Sequence, residues 1–236
     1  MKKYIGTKQV MAEPMNELDA FDKGFARSYS VSGKSGSTPR EGYHVQYCNP
    51  DGTVYDSWSP KDVFEKSYNA ADTPLDRMSI EYAEESTRYE KRQGVRFNKL
   101  NYLAKALLSA QNESQREYCY LLADRIAQMS DKQVKPNNYD FGTAIKFLKA
   151  GGAIRRAGWN GKGMFVVKQI PAHITSDIIP GMQSLPQIAK DIINKRDDAH
   201  IDYTNQMLII NKDGRADSWV PSSSDVFAED WELVME

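Results

Sequence analysis

The stretch DFGTAIKFLKAGGAIRRAGW, residues 140–159, decides the fold of the C-terminal part of this chain. Asp140 is a typical helix N-cap residue, and apolar side chains recur at helical spacing from Phe141 to Leu148. Gly151 offers the left-handed backbone position that often ends a helix. The stretch therefore predicts a short helix that is followed at once by a strand.

Further strands and one more helix are predicted downstream. The predicted strands are AIRRAGW, GMFVVKQI, HIDYTNQMLIIN and GRADSWV, and the helix covers residues 185–193. Residues 160–163, NGKG, begin with Asn-Gly, the strongest short hairpin signal, and residues 211–214, NKDG, form another turn. These patterns predict a helix packed on an antiparallel sheet.

Upstream of this segment the pattern changes twice. DKQVKPNNY, residues 131–139, is polar and contains proline, which predicts a linker. Residues 72–130 predict a helical hairpin, in which Thr73-Pro74 starts the first helix and a QNES break with a capping box at Asn112 starts the second. The leucines predicted to face the hairpin core are Leu100, Leu103 and Leu107.

The N-terminal part predicts strands and loops. YIGTKQVMA and GYHVQYC alternate apolar and polar residues, and a Ser- and Gly-rich loop at residues 28–42 separates them. The NPDG turn at residues 49–52 predicts a hairpin between GYHVQYC and TVYDSW. The whole chain is predicted to be α+β, with a small β-rich domain at residues 1–71, a helical hairpin at 72–130, a linker at 131–139 and an α+β domain at 140–236.

Composition limits the classes of partner. The chain is 40% hydrophobic and 27% charged, as is typical of a globular protein, and its formal net charge is −1. A protein that binds long DNA or RNA usually carries a basic excess. The charge balance therefore argues against a polymeric nucleic acid and leaves a small anionic ligand open.

Signals for disulfides, export or membrane insertion are not found in the sequence. Cys48 and Cys119 stand alone, which favours a reducing compartment. The first residues have no apolar run after their lysines, so no secretory signal is expected, and no segment predicts a membrane span. We expect the protein in the cytoplasm.

No pattern typical of an enzyme emerges either. His44, His173 and His200 are scattered without metal-ligand spacing, and the glycine motifs of nucleotide-dependent enzymes are not present. The SSS run at residues 222–224 lacks a nucleophile-elbow pattern. The sequence therefore predicts a protein that is not an enzyme, with no catalytic residue, metal or cofactor.

One group of residues suits a small nucleotide. Arg155, Arg156 and Lys162 flank Trp159, whose indole can stack on a base while arginine forks match phosphate oxygens. Backbone N–H groups of residues 160–163 could receive an anion. The polar side chains that could read base edges and ribose hydroxyls are Asn205, Gln206, Ser222, Ser224 and Asp225.

A short phrase occurs twice in the chain. DSWSPKDVFE at residues 56–65 and DSWVPSSSDVFAEDW at residues 217–231 share a Trp, a Pro and an Asp-Val-Phe run in the same order. A strand end with a Trp packed over a turn explains both copies. We interpret the early copy as packing and the late copy as a binding surface built on a packing motif.

The C-terminal segment resembles the second Thoeris anti-defence family of phage proteins. The matching stretches are FGTAIKFLKAGGAIRRAGWNGKGMFV, MQSLPQIAK and YTNQMLIINKDGRADSWVPSSSDVFAEDWELV. Residues 170–203 resemble the insertion of the longer form of that family. The N-terminal stretches YIGTKQVMAEPM, GYHVQYCNPDG and SWSPKDVFE resemble a small domain of unknown activity in other phage proteins.

The resemblance implies binding without catalysis. Proteins of this family sequester immune messengers made by host TIR-domain proteins, which include a cyclic ADP-ribose isomer, and some members hold cyclic dinucleotides. They form homotetramers with ligand pockets between protomers. For this chain, the resemblance implies a small cyclic nucleotide ligand, a homo-oligomer and a place of action in the cytoplasm of the infected bacterial host.

The resemblance also implies a set of site residues. The ligand-binding residues are Arg156, Trp159, Asn160, Gly161, Asn205, Trp219, Pro221, Ser224 and Asp225. Because side chains alternate along a strand, Arg155 should face away from Arg156. The residues interpreted as core are Phe141, Ile145, Leu148, Val166 and Phe227. Trp231 is interpreted as core too, with a place in the ligand site as the alternative.

Two other hypotheses belong to different classes. In one, the N-terminal domain and the helical hairpin bind a host or phage protein. The long helical segment in the middle of the chain favours this hypothesis. In the other, an enzyme degrades the messenger. Loss of the ligand over time would distinguish that enzyme from a protein that only binds.

Overall fold

A computed structural model describes residues 9–27, 38–95 and 97–235. The chain forms two compact units, Met1–Ile80 and Glu81–Glu236. Helices and antiparallel sheets occur together, which confirms the predicted α+β class. Most of the predicted strand YIGTKQVMA and of the loop at residues 28–42 lies outside the described residues.

The first unit is built on a three-stranded antiparallel sheet in the order β1-β2-β3. Its elements are β1 (Met11–Pro14), α1 (Glu17–Asp22), β2 (Gly42–Cys48), β3 (Val54–Pro60) and α2 (Lys61–Ser67). The predicted hairpin at residues 49–52 is confirmed, because β2 and β3 pair directly on either side of it and Gly52 has a φ of 82°.

The early copy of the repeated phrase has a packing role in this unit. Trp58 lies on β3 and donates its indole N–H to the Met15 carbonyl at 2.9 Å. The Arg40 guanidinium lies 5.6 Å from its ring centroid, within the range of a cation–π contact. These contacts agree with the interpretation of the early copy as a packing motif.

Two long helices follow, and the position of their break differs from the prediction. They are α3 (Pro74–Gln93) and α4 (Tyr102–Met129), with a 3₁₀ turn at Phe97–Lys99 between them. The predicted start of α3 is confirmed, because Thr73 and Asp76 exchange the two hydrogen bonds of a capping box. Asn101 caps α4 by accepting from the Ala104 N–H at 2.8 Å.

The predicted break at QNES is wrong, because α4 runs through it without interruption. Asn112 and Gln115 are buried inside the helix. The Gln115 amide donates to the Glu85 carbonyl at 3.0 Å and its oxygen accepts from Arg92, so the polar residue joins α4 to α3. Leu103 and Leu107 are about two-thirds exposed, which corrects the prediction that they face a core.

The C-terminal part of the second unit contains the predicted helix on a sheet. The remaining helices are α5 (Phe141–Lys149), α6 (Gln187–Asn194) and α7 (Ser223–Val226). The strands are β4 (Ile154–Arg156), β5 (Phe165–Lys168), β6 (Ala172–Thr175), β7 (His200–Tyr203), β8 (Met207–Ile210), β9 (Ala216–Ser218) and β10 (Trp231–Leu233).

The strands form two separate antiparallel sheets. One has the order β10-β4-β5-β8-β9, and the other pairs β6 with β7. The predicted single strand HIDYTNQMLIIN is therefore interrupted at residues 204–206, because its first half pairs within the insertion and its second half joins the larger sheet.

The ends of α5 follow directly from the sequence. The Asp140 carboxylate accepts from the Thr143 N–H at 2.6 Å, and Gly151 has a φ of 91° just after the helix. Leu148 and Ala144 face the core, together with Ile154 and Val166 from the sheet. The helix is therefore held on the sheet by the apolar face that its spacing predicted.

Trp231 is completely buried, as predicted, and it pairs with Tyr139 through two backbone hydrogen bonds. The predicted linker thus ends in the core. Phe141 and Ile145 pack against the core, whereas Phe227 is 84% exposed, so its assignment to the core was wrong. In the part of the chain that is described, no helix is long and apolar enough to cross a membrane.

The division of residues 81–236 into hairpin, linker and C-terminal domain stays a prediction.

Candidate functional site

Three neighbouring segments bring most of the predicted site residues together. Arg156 ends β4, Trp159 lies in the loop that follows, and Trp219 follows β9. The short helix α7 then carries Asp225 back to the same place, next to β10. The site is therefore assembled where strands of the five-stranded sheet end.

Asp225 is the central acceptor of this site. Its carboxylate accepts from Arg156 Nη1 at 3.0 Å, from Trp159 Nε1 at 3.3 Å and from the Ser222 N–H at 3.0 Å. Its own N–H donates to the Ser222 hydroxyl, which completes a capping box for α7. Burial acts to raise the pKa of Asp225, but hydrogen bonds from the Ser222 hydroxyl and N–H, and then from Arg156 and Trp159, outweigh burial, so the pKa lies below its usual value.

Arg156 is held by carboxylates on two sides. Its Nε donates to Asp230 at 2.8 Å, and its Nη1 donates to Asp225 and to the Ser224 carbonyl at 3.2 Å. The hydrogen bond to Asp230 is the main reason that the pKa of Arg156 is raised. Because Nε and Nη1 are both engaged, Arg156 serves to position Asp225 and the start of α7.

Arg155 faces the other side of the sheet, as strand alternation predicted. It pairs with Glu232 at 2.8 Å and is about half exposed. Asp230, which the sequence reasoning missed, also accepts from the Gly158 N–H at 2.8 Å and so fixes the start of the loop. No local signal pointed to Asp230, because its contact with Arg156 depends on the pairing of β10 with β4, which places the next residue, Trp231, opposite Arg156.

Three tryptophans pack edge to face beside the carboxylate. The ring centroids of Trp159 lie 6.1 Å from Trp219 and 5.6 Å from Trp231, and Trp219 lies 6.1 Å from Trp231. Trp231 is buried, while Trp159 and Trp219 are only partly buried. The arrangement therefore leaves part of two indoles accessible above one that belongs to the core.

The loop at residues 157–164 is longer than the predicted turn at residues 160–163. The residue with positive φ is Gly163, at 85°, rather than Asn160 or Gly161. Gly161 lies so close to the Met164 side chain that an added Cβ would collide with it. Asn160 is exposed beside it.

This loop presents backbone donors to solvent. Within the described residues, the N–H groups of residues 160–163 donate no hydrogen bond to another backbone group. Lys162 is exposed in the same loop, and the Lys212 side chain lies 3.6 Å from the position of a Cβ on Gly163. Lys212 was missed because the turn at residues 211–214 gives no sign that it lies beside this loop.

The remaining predicted residues divide into two groups. Pro221 and Ser224 lie next to Asp225, because Pro221 directly precedes the α7 cap and the Ser224 hydroxyl bonds to that of Ser222 at 2.8 Å. Asn205 instead lines an open cleft of about 480 Å³ between β6 and the end of β7. None of the tryptophans lines that cleft, so the structure does not unite Asn205 with the rest of the set.

Comparison with known sequences matches this part of the chain. A model of the Tad2-like family, described as the Thoeris anti-defense 2-like domain, matches residues 139–234. That range begins at the buried Tyr139 and includes Trp159, Trp219, Trp231 and Asp225 of the candidate site.

An individual relative covers the same region. The chain is 35% identical over 94 residues to the protein named Thoeris anti-defense 2 of Bacillus phage SP01, which amounts to 40% of this chain and 92% of that protein. The chain therefore belongs to the Thoeris anti-defense 2 family. This membership supports a role in phage anti-defence.

Proposed function

We propose that the protein binds a host immune cyclic nucleotide and sequesters it unaltered. The proposed ligand is glycocyclic ADP-ribose, with cyclic dinucleotides as a second class. The observation that carries the proposal is the pair of partly exposed indoles, Trp159 and Trp219, held beside the Asp225 carboxylate. The family membership of this region supports it.

The chemistry of the site suits the parts of such a ligand. An accessible indole face can stack on a base, which is worth roughly 1–3 kcal/mol per base. The exposed Asn160 side chain can exchange hydrogen bonds with ribose hydroxyls or an exocyclic amine. The Asp225 carboxylate, whose two oxygens already accept from Arg156, Trp159 and Ser222, holds the indole in place. The N–H groups of residues 160–163, with Lys162 and Lys212 nearby, offer donors for phosphate oxygens.

In this proposal the protein is not an enzyme and needs no cofactor. Sequestration requires tight binding and an excess of protein over messenger, and the site supplies stacking surfaces and hydrogen-bond partners for that purpose. The protein would act in the cytoplasm of the infected bacterial host, where the messenger is made. We further propose a homo-oligomer, in which residues of a second copy complete the ligand pocket.

The test is a calorimetric titration of the purified chain with glycocyclic ADP-ribose and a panel of cyclic dinucleotides. The complex is then heat-denatured, and the released ligand is identified by chromatography. We expect saturable binding and recovery of the intact ligand. Release of a converted product would instead establish an enzyme, and no binding to any compound would overturn the proposal.

A second candidate function has its own observation. Tyr102, Leu103 and Leu107 on the first turns of α4 are between 63% and 87% exposed. Large apolar side chains that are exposed close together on one helix are typical of protein interaction surfaces. We propose as the alternative that the hairpin and the N-terminal unit bind a protein partner.

A pull-down from infected cells distinguishes the two functions. The alternative predicts a stoichiometric protein that is lost when Leu103 and Leu107 are both changed to Glu. The matched control changes Lys105 and Lys99 to Glu and should retain the partner. A small molecule released from the purified protein, with no retained protein partner, favours the first proposed function, sequestration of a nucleotide.

A further inference from the structure

A side-chain cluster that the nucleotide site does not use lies on the two-stranded sheet of β6 and β7. His173 on β6 stands directly opposite Asp202 on β7, and His200 is two residues before Asp202 on the same strand. Because side chains two apart share a face, all three project from one side of the ribbon. The spacing in sequence gave no hint of this, since the histidines lie 27 positions apart.

The potential ligand atoms converge on the Asp202 carboxylate. His173 Nδ1 lies 2.6 Å from one carboxylate oxygen, and His200 Nε2 lies 3.4 Å from the other. One ligand atom from each of the three residues falls within 4.8 Å of the others. A zinc ion with bonds of about 2.0–2.1 Å in tetrahedral geometry needs ligand atoms about 3.3 Å apart, so modest side-chain rotation would suffice.

His200 is already oriented for such a role. Its Nδ1 lies 3.0 Å from the Asp198 carbonyl and 3.4 Å from the Asp198 carboxylate, and these contacts hold the ring with Nε2 directed at Asp202. A backbone carbonyl that holds the second ring nitrogen is a recurring feature of metal-binding histidines. His200 is about one-third exposed, and the other two side chains are more than half exposed.

We propose that His173, His200 and Asp202 bind one divalent transition-metal ion of the Zn²⁺ class. Two imidazole nitrogens and one carboxylate oxygen form a ligand set that suits zinc, and also nickel or copper, better than magnesium or calcium. An ordinary cross-strand ion pair needs only His173 and Asp202. His200 brings a second imidazole to the same carboxylate, which supplies the third ligand atom of the proposed site.

This site goes beyond the proposed nucleotide binding and does not depend on it. The ion would join β6 to β7 and so close the intervening segment, which contains α6. Two of its ligands, His173 and Asp202, line the same cleft as Thr204 and Asn205, so the open coordination positions would face that cleft. Metal binding should therefore stabilise the insertion and order the neighbouring cleft.

The experiment uses the full chain without a histidine tag, stripped with a chelator and titrated with Zn²⁺ by calorimetry. We expect one ion per chain, with a dissociation constant in the micromolar range or tighter, and a rise in the thermal midpoint. His173→Gln and His200→Gln should each weaken binding at least tenfold. His44→Gln is the matched control, because it removes the remaining histidine, which also contacts two carboxylates, in the other unit.

A spectroscopic readout keeps the test independent of folding. In long-range proton–nitrogen NMR spectra of the wild type, Zn²⁺ should shift the His200 Nε2 resonance and leave its Nδ1 protonated. Circular dichroism checks that each variant is folded. The proposal is overturned if the wild type binds no stoichiometric Zn²⁺, if folded His173→Gln and His200→Gln bind as tightly as the wild type, or if Zn²⁺ leaves the His200 resonances unchanged.

Discussion

The carboxylate of Asp225 accepts a hydrogen bond from the indole Nε1 of Trp159 at 3.3 Å. One residue comes from the loop after β4 and the other from α7, which lies 66 residues later in the chain. The bond fixes the orientation of the partly exposed indole through a carboxylate that also belongs to the α7 capping box and pairs with an arginine. Stability and ligand binding at this site should therefore change together when Asp225 is altered.

Asp225→Asn is expected to lower the free energy of unfolding by about 3 kcal/mol. The change removes the negative charge from a buried position that faces Arg156, and it replaces an acceptor of the capping box by an amide. Urea denaturation measures the effect. Asp197→Asn, an exposed matched control in the loop after α6, should change the unfolding free energy by less than about 0.5 kcal/mol. Equal effects of the two changes would contradict the central role of Asp225.

Acid should weaken the same network. Burial favours the neutral form of Asp230, but hydrogen bonds from Arg156 and Gly158 outweigh burial and lower its pKa below the ordinary 3.8. The pKa of Asp225 is lowered in the same way, by hydrogen bonds that outweigh burial. The unfolded state therefore binds protons first, so the stabilisation is fully present above pH 3.8 and is lost as pH falls through the lower folded values. The difference in unfolding free energy between the wild type and Asp230→Asn should shrink below pH 3.8 and stay constant above pH 5. A difference that grows on acidification would refute this assignment.

The elements near the C-terminus were predictable because local signals determine them. The Asp140 cap, the Gly151 stop and the apolar spacing of α5 act within a few residues of one another, and the structure has all of them. The break between α3 and α4 was misplaced for a physical reason. Gln115 is polar and buried because it bonds to the partner helix, and a single sequence cannot distinguish such a residue from a helix cap.

The sequence predicted which residues form the candidate site better than it predicted what each of those residues does. Family resemblance singled out Trp159, Trp219 and Asp225, which the fold brings together. The engagement of Arg156 by two carboxylates depends on Asp230, far away in sequence. The pairing of His173 with Asp202 depends on the register of two strands across the insertion, which no local pattern reveals.

Tyr139→Phe should lower the free energy of unfolding by about 2 kcal/mol. The phenol is buried and donates to the Asp124 carboxylate, so the change leaves that charged acceptor without its partner. Burial first, and then this hydrogen bond, raise the pKa of Tyr139 far above its usual value. The control Tyr55→Phe, at a tyrosine that is 56% exposed, should be nearly neutral in the same denaturation experiment. A Tyr139→Phe protein as stable as the control would show that the hydroxyl contributes nothing.

Trp159→Ala should weaken binding of glycocyclic ADP-ribose by roughly 10- to 100-fold, the worth of one stacked base. Trp159→Phe keeps an aromatic face but loses the bond to Asp225, so it should weaken binding less. Calorimetry measures both, and circular dichroism checks the fold. Trp58→Phe, in the early copy of the phrase, should leave affinity unchanged, and undiminished affinity in Trp159→Ala would remove Trp159 from the site.

Changing Lys162 and Lys212 together to Ala should lower affinity for the anionic ligand by roughly 3- to 10-fold, as expected for two exposed charges. Lys162 lies in the loop at residues 157–164 and Lys212 lies beside it. Within the described residues, the N–H groups of residues 160–163 in this loop donate to no other backbone group. The matched variant changes Lys149 and Lys195 to Ala, which alters the net charge equally but leaves this loop intact. Titrations at two salt concentrations separate the causes, because added salt screens exposed charges. The loop variant should show a weaker salt dependence than the wild type and the matched variant, whereas equal losses in both double variants would mean that net charge alone draws the ligand.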